Sequence, residues 1–334
     1  MKIVFMNQLS NTAPGAEVTY AQLWIGEEEG RWKLGWNKNS LEEEVSDIWY
    51  EGTSWNEMMH IYRLQLAIKM SEGYRPLIEG VFHEAGDTRT RSQGATKLQC
   101  YSELYGREEL YQELCVWRRR KAQTERKAPY FIASNRLLRM ISAYVPHTLE
   151  ELRELPGVGD NKAAEYGEEI LAITANEARE HAFPLDWVHE ALNEEEYESW
   201  VFKQKEQKYK QELERFTLKK TVLSGIASNL SLDEISTSSG LTRRELVDFL
   251  EELEKGGYDT EALIAKELVW MTDEEQEQIW NAYDELGTGF LKPVLQRVYG
   301  EDPSSVGPLD QLYERLRMVR IRFRRQTEAD RQVG

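Results

Sequence analysis

Apolar and polar positions along the chain change period after the first fifty residues. Before that point they alternate, and 2–7, 18–25, 31–37 and 48–50 read as short strands with Trp32, Leu34 and Trp36 on one face. Ser54, with Glu57 three residues on, then opens a helix to about Ser71 that Gly73 is placed to close. Beyond it the spacing is helical almost throughout. Leu110, Tyr111, Leu114 and Trp117 mark a long amphipathic helix, and Leu137, Leu138 and Ile141 mark a short one. Leu149, Leu152 and Leu155 share a stripe, as do Ala163, Gly167, Ile170 and Leu171. Residues 176–214 read as a polar, charge-laced helical connector, followed by a separate helix at 217–229. Ser231/Glu234 and Thr242/Glu245 are capping boxes on either side of Gly240, the second opening a helix with Leu246, Phe249, Leu250 and Leu253. Three more helices follow over 272–325, the last packing Leu312, Leu316, Val319 and Phe323. The expected fold is mainly α and multidomain, with a Trp-rich α+β domain at 1–100, a helical bundle at 104–175, the connector at 176–215 and a helix-turn-helix-containing helical domain at 216–326.

The segment with the most specific chemistry is 148–173. Thr148 and Glu151 form a capping box, Pro156 stops the first short helix, and Gly157 and Gly159 permit a tight turn before Asp160, expected to cap the next helix. Backbone N–H groups at such a turn and at a helix N-terminus converge on one point, which suits a phosphate oxygen. Lys162 lies one turn in, and Arg118, Arg119, Arg120 and Lys121 end the long helix upstream.

A basic long helix, then PYFIASNRLLRMI, then VPHTLEELRELPGVGDNKAAEYGEEIL resembles the HRDC domain, the helicase-and-RNase-D C-terminal module. The resemblance covers roughly 104–175, about a fifth of the chain. It implies a five-helix bundle that helps bind nucleic acid through a face that differs between members; the hairpin turn and the basic helix make Gly157, Gly159, Lys162 and the Arg118–Lys121 stripe the expected contacts here. LSLDEISTSSGLTRRELVDFLEEL is similar to the helix-turn-helix at the C-terminus of many bacterial RecQ helicases and in their partner proteins. In a DNA-reading module Arg243 and Arg244 would meet the duplex. The same helix carries Glu245, Asp248, Glu251, Glu252 and Glu254, which opposes deep insertion in a groove and leaves a DNA contact through Arg243 and Arg244 and a protein-docking or structural role as equal alternatives. The strands followed by SWNEMMHIYRLQLAIKMSEGY resemble, without its Trp-Gly-Arg triplet, the WGR domain of DNA-repair proteins.

Charge changes the picture. The net charge of −17 is wrong for a protein that coats nucleic acid indiscriminately. Positive charge is local: 118–127, the lysines from Lys203 to Lys220, and the arginines from Arg315 to Arg325. That last helix reads either as a packed helix with snorkelling arginines or as a phosphate-tracking stripe. The N-terminal tryptophans Trp24, Trp32, Trp36, Trp49 and Trp55 read as sheet core, with a base-stacking platform as the alternative. Cys100 and Cys115 are too few for a disulfide framework or a zinc site. No apolar run approaches a membrane span or a signal peptide, so a cytoplasmic location is expected. Segments 84–95 and 301–308 read as loops.

Catalytic chemistry is not expected. There is no GxxxxGK[ST] cradle for a triphosphate and no GxSxG; the five histidines, His60, His83, His147, His181 and His189, have no metal-ligand spacing. The acidic runs 27–29 and 42–44 read as solvated turns rather than the metal-binding carboxylates of an RNase D-type site. No cofactor is expected. The expectation is a non-catalytic nucleic-acid-binding protein, DNA more than RNA, structured or single-stranded, serving as an accessory to a RecQ-type helicase in repair or recombination. The alternatives are a protein–protein adaptor and, at the margin, a nuclease.

Overall fold

The computed structural model describes residues 1–11, 18–39, 44–80 and 92–333; the acidic pair at 42–43, His83 and most of the expected loop at 84–95 lie outside them. The described residues form two compact units, Met1–Leu213 and Glu214–Gly334.

The first unit opens on an antiparallel sheet of β1 (Lys2–Asn11), β2 (Thr19–Glu28), β3 (Arg31–Asn39), β4 (Glu44–Gly52) and β5 (Tyr74–Pro76), in the order β4-β3-β2-β1-β5. Four strands were legible from alternation. The three-residue β5, which pairs Leu9 with Pro76, is too short to alternate. Register places Leu23 opposite Trp36 and Ile25 opposite Leu34 on the face covered by α1 (Trp55–Ser71). Ser54 caps α1, and Gly73 follows it at φ +98°. Trp36 stacks on Trp49 at 5.4 Å and both, with Trp32, belong to the core between sheet and helix, while the exposed Trp55 meets Trp32 edge-on at 4.7 Å at its margin. On the opposite face the Trp24 ring lies across Gly35, where a Cβ would come within 2.3 Å of it.

Next come α2 (Ser92–Tyr105), α3 (Glu108–Glu125), α4 (Pro129–Ile132), α5 (Asn135–Tyr144), α6 (Leu149–Glu154) and α7 (Asp160–Thr174). Helices α3 to α7 are the five expected of the bundle, and Leu114, Ile132, Leu138, Ile141, Leu152 and Ile170 form its core. The core also takes in Leu185 and Val188. Residues 176–193 are therefore not one polar helix: they hold a 3-10 turn, Leu185–Trp187, and a single turn α8 (Val188–Ala191) packed on the bundle. Asn193 then accepts from the Glu195 N–H at 2.8 Å and starts α9 (Glu194–Ala227), which runs without a break through the expected boundary near 216. Neither proline nor glycine interrupts that stretch until Gly225.

The second unit contains α10 (Leu232–Ser239), α11 (Arg243–Lys255), α12 (Glu261–Leu268), α13 (Asp273–Leu286), α14 (Leu291–Tyr299) and α15 (Leu309–Val333). Both expected capping boxes form, and Gly240 turns the chain at φ +74° between α10 and α11. Leu312, Leu316, Val319 and Phe323 are buried as α15 crosses α11 and α13. The loop-like 301–308 segment holds one 3-10 turn, Pro303–Ser305.

Candidate nucleic-acid interface

The α6–α7 hairpin is built as the sequence requires, with one change. Thr148 accepts from the Glu151 N–H, and Glu151 in turn accepts from the His147 N–H at 2.7 Å. Gly157 adopts φ +98°, Val158 turns inward, and a Cβ at Gly157 or Gly159 would meet open space. The residue capping α7 is Gly159, not Asp160. Asp160 sits in the first turn, makes no side-chain cap bond, and faces Arg153 at 3.3 Å. Its carboxylate already favours the positive helix end, so an incoming phosphate would compete with it. Where α6 and α7 cross, a Cβ at Gly167 would fall 2.4 Å from Leu149 Cδ2. Gly167→Val is expected to destabilise the bundle by about 1–3 kcal/mol through overpacking. A urea-unfolding midpoint equal to that of the native chain would show that Leu149 can move aside.

The basic stripe on α3 divides into two groups. Arg118 is half-buried and donates to the Ala133 carbonyl at 2.8 Å, tying α3 to the end of α4. Lys121 pairs with Glu169 on α7 at 2.5 Å, and the Trp117 indole donates to the same carboxylate at 2.7 Å. Lys121 and then Trp117 hold the Glu169 carboxyl below its usual range. Both cations thus brace the bundle. Arg119 is exposed, with only a long contact of 3.4 Å to the Cys115 carbonyl. Arg120 and Arg126 are exposed and meet no acidic partner among the described residues.

One end of the bundle gathers much of the remaining chemistry. Lys127 follows α3 and bonds Glu165 on α7 at 3.2 Å. Lys162 lies three residues before Glu165, on the same helical face and about one turn, roughly 5 Å, nearer the hairpin. Gly157, Gly159 and Lys162 therefore stand at the end where α3 gives way to α4. There Tyr130 and Phe131 are 66% and 64% exposed, their rings 4.5 Å apart. Sequence reasoning passed over this pair. The available signal was two consecutive aromatics in a helix of one turn, which cannot bury both while Ile132 faces the core.

A family model for the HRDC domain matches residues 107–174. This stretch is an HRDC domain. The match is about a fifth of the chain, and it coincides with α3 to α7. No curated protein and no solved structure matches the chain. The HRDC domain suggests a nucleic-acid-related function and interaction with nucleic acid or protein.

The remaining expected site residues lie in the second unit, away from the HRDC domain in sequence. Arg243 is enclosed by Glu314 at 2.7 Å, Glu267 at 3.2 Å and Asp233. Glu314 and Asp233 hold its guanidinium still more firmly protonated than usual. Arg244 is exposed and meets no acid among the described residues. The arginines of α15 turn inward: Arg315 to Glu275, Arg317 to Asp248, Arg320 to Glu251, Arg322 to Glu261, and Arg325 to Glu254, Asp259 and Glu261. They clamp α15 to α11, α12 and α13, which favours the packed-helix reading over the phosphate stripe. Burial pushes the Cys100 thiol up to about 12, so it is a poor nucleophile. No group of three or more His, Cys, Asp or Glu among the described residues could hold a metal ion. Among the described residues no helix is long and apolar enough to cross a membrane.

Proposed function

We propose that the chain is a non-catalytic nucleic-acid-binding protein that grips single-stranded or forked DNA through the hairpin end of its HRDC domain. The observation that carries this reading is the exposed Tyr130–Phe131 pair just after Arg126, a cation that, like Arg119 and Arg120 on α3, meets no acidic partner among the described residues. Aromatic faces stack on unpaired bases, and free guanidiniums track the backbone. Gly157, Gly159 and Lys162 add an open turn with unbonded helix-terminal N–H groups. Arg118 and Lys121 support this surface rather than touching the strand. A RecQ-type helicase is the partner that would supply the ATPase activity this sequence has no P-loop for.

The test is fluorescence anisotropy of the full chain with single-stranded, forked and duplex DNA and matched RNA, across a range of salt. Arg119, Arg120 and Arg126 changed together to Gln should lower the slope of log affinity against log salt on single strands by about 2, at roughly 0.7 per phosphate contact. An unaltered slope, or no binding at low salt, overturns this reading.

A second reading, a protein–protein adaptor, draws on the second unit. There Arg243 and five of the six α15 arginines between Arg315 and Arg325 are ion-paired at 3.3 Å or closer. Of the expected site residues in that unit, Arg244 alone lacks an acidic partner among the described residues. Docking to a helicase partner through this unit is compatible with strand binding by the HRDC domain.

A further inference from the structure

Where α2 and the 179–187 segment pack on the HRDC domain they enclose a cavity of about 250 Å³. That is slightly below the ~300–1,000 Å³ of sites for drug-sized ligands, a volume suited to one small ring system. Its lining includes Tyr101, Tyr105, Tyr144 and Trp187. Tyr101 lies parallel to Tyr144 at 5.8 Å and edge-on to Trp187 at 5.1 Å. His181 stacks on Trp187 at 4.1 Å, extending the aromatic lining. Three of the four phenol and indole groups are satisfied within the fold: Tyr105 donates to Glu196, Tyr144 to the Leu98 carbonyl and Trp187 to the Ala182 carbonyl. The Tyr101 hydroxyl has no hydrogen-bond partner among the described residues.

The charged part of the lining narrows the ligand class. Arg107 and Arg179 both contribute to it, each with a single acidic partner: Glu177 at 3.3 Å and Glu151 at 2.7 Å. A guanidinium has five N–H donors, so each keeps several for a second, anionic partner. An aromatic cage for a quaternary ammonium uses the same ring types, but two guanidiniums in its wall would repel that cation. An aromatic wall with two arginines and a free phenol instead matches a base carrying a phosphate. Glu180 also lines the cavity and accepts hydrogen bonds only, which favours bases with an exocyclic amine over thymine or uracil.

We infer that this cavity holds one unpaired nucleotide, its base against Tyr101 and Trp187, with the buried Tyr144 backing Tyr101, its phosphate at Arg107 and Arg179, and its amine edge at Glu180. Tyr101, Tyr105 and the 179–187 residues lie outside the matched HRDC residues while Arg107 and Tyr144 lie within them, so the site forms where this chain's additions meet that domain. Only the source of the nucleotide, a strand rather than the free pool, rests on the function proposed above.

Isothermal titration of the full chain with dGMP, dTMP, inorganic phosphate and choline tests the site, alongside the variants Arg179→Gln and Glu180→Gln. Saturable dGMP binding, stronger than dTMP and weakened about tenfold by Arg179→Gln, is the expected result. Glu180→Gln changes an exposed residue and should remove the preference for dGMP while leaving unfolding unchanged. No saturable binding of either nucleotide, binding indifferent to both variants, or binding of choline in their place overturns the inference. Comparing TTGTT with TTTTT distinguishes the source: a preference for TTGTT above that for dGMP points to a strand, and equal preferences point to free nucleotide. Because the Arg119/Arg120/Arg126 variant leaves this cavity intact, it should keep dGMP binding while losing strand affinity; dGMP binding by a native chain that binds no strand at low salt would count against the HRDC-end interface alone.

Discussion

Arg320→Ala is expected to destabilise the second unit by about 3–5 kcal/mol, the cost of leaving one member of a buried ion pair alone. The Arg320 and Glu251 side chains are only 11% and 10% exposed, and two guanidinium nitrogens converge on Glu251 Oε1 at 2.6 and 2.8 Å. Without Arg320, the nearest cation to Glu251 is Arg324, at 3.9 Å. Glu251 lies on α11 beside the buried Leu250, so its carboxylate cannot swing into water without disturbing the packing. The paired variant Arg320→Met with Glu251→Leu removes both charges while keeping apolar bulk, and it should recover most of the loss. Urea unfolding followed by circular dichroism measures both. A single variant within about 1 kcal/mol of the native chain would mean that water reaches Glu251 and the clamp contributes little.

What could be read from the sequence was local. Ser54, Thr148, Ser231 and Thr242 announce helix starts because each cap is completed within three or four residues, and each caps as expected. The apolar faces of the hairpin and of α15 follow from spacing alone. The roles of the arginines do not. Arg320 and Glu251 are 69 residues apart, and Arg325 and Glu254 are 71 apart, so a basic stripe in the sequence gives no sign that its charges turn inward. Arg118 and Lys121 were hidden for the same reason: their partners lie on α4's end and on α7. The connector misled because 176–193 has a helix-like composition but carries Leu185 and Val188 into the HRDC core. Asp160 misled because a glycine immediately before it can take the cap position, and the aspartate then has Arg153 within reach.

Tyr130→Ala with Phe131→Ala is the variant that most sharply separates binding from stability. Both rings stand mostly in solvent, so their removal should cost the fold little, within about 0.5 kcal/mol as for ordinary surface substitutions. If each ring stacks on a base of a bound strand, the loss is about 1–3 kcal/mol per base. If both rings stack, together the changes should weaken single-strand affinity by about 30-fold at the least and by up to about 10⁴-fold. Stacking involves no counterions, so the slope of log affinity against log salt should stay as it is. That pattern is the inverse of the one expected for Arg119, Arg120 and Arg126, where the slope falls. Anisotropy titrations of the two variants at several salt concentrations separate the aromatic from the electrostatic contribution. Unchanged affinity in the double-alanine variant would remove these rings from the interface, leaving the open hairpin turn and its neighbouring cations to carry whatever binding remained.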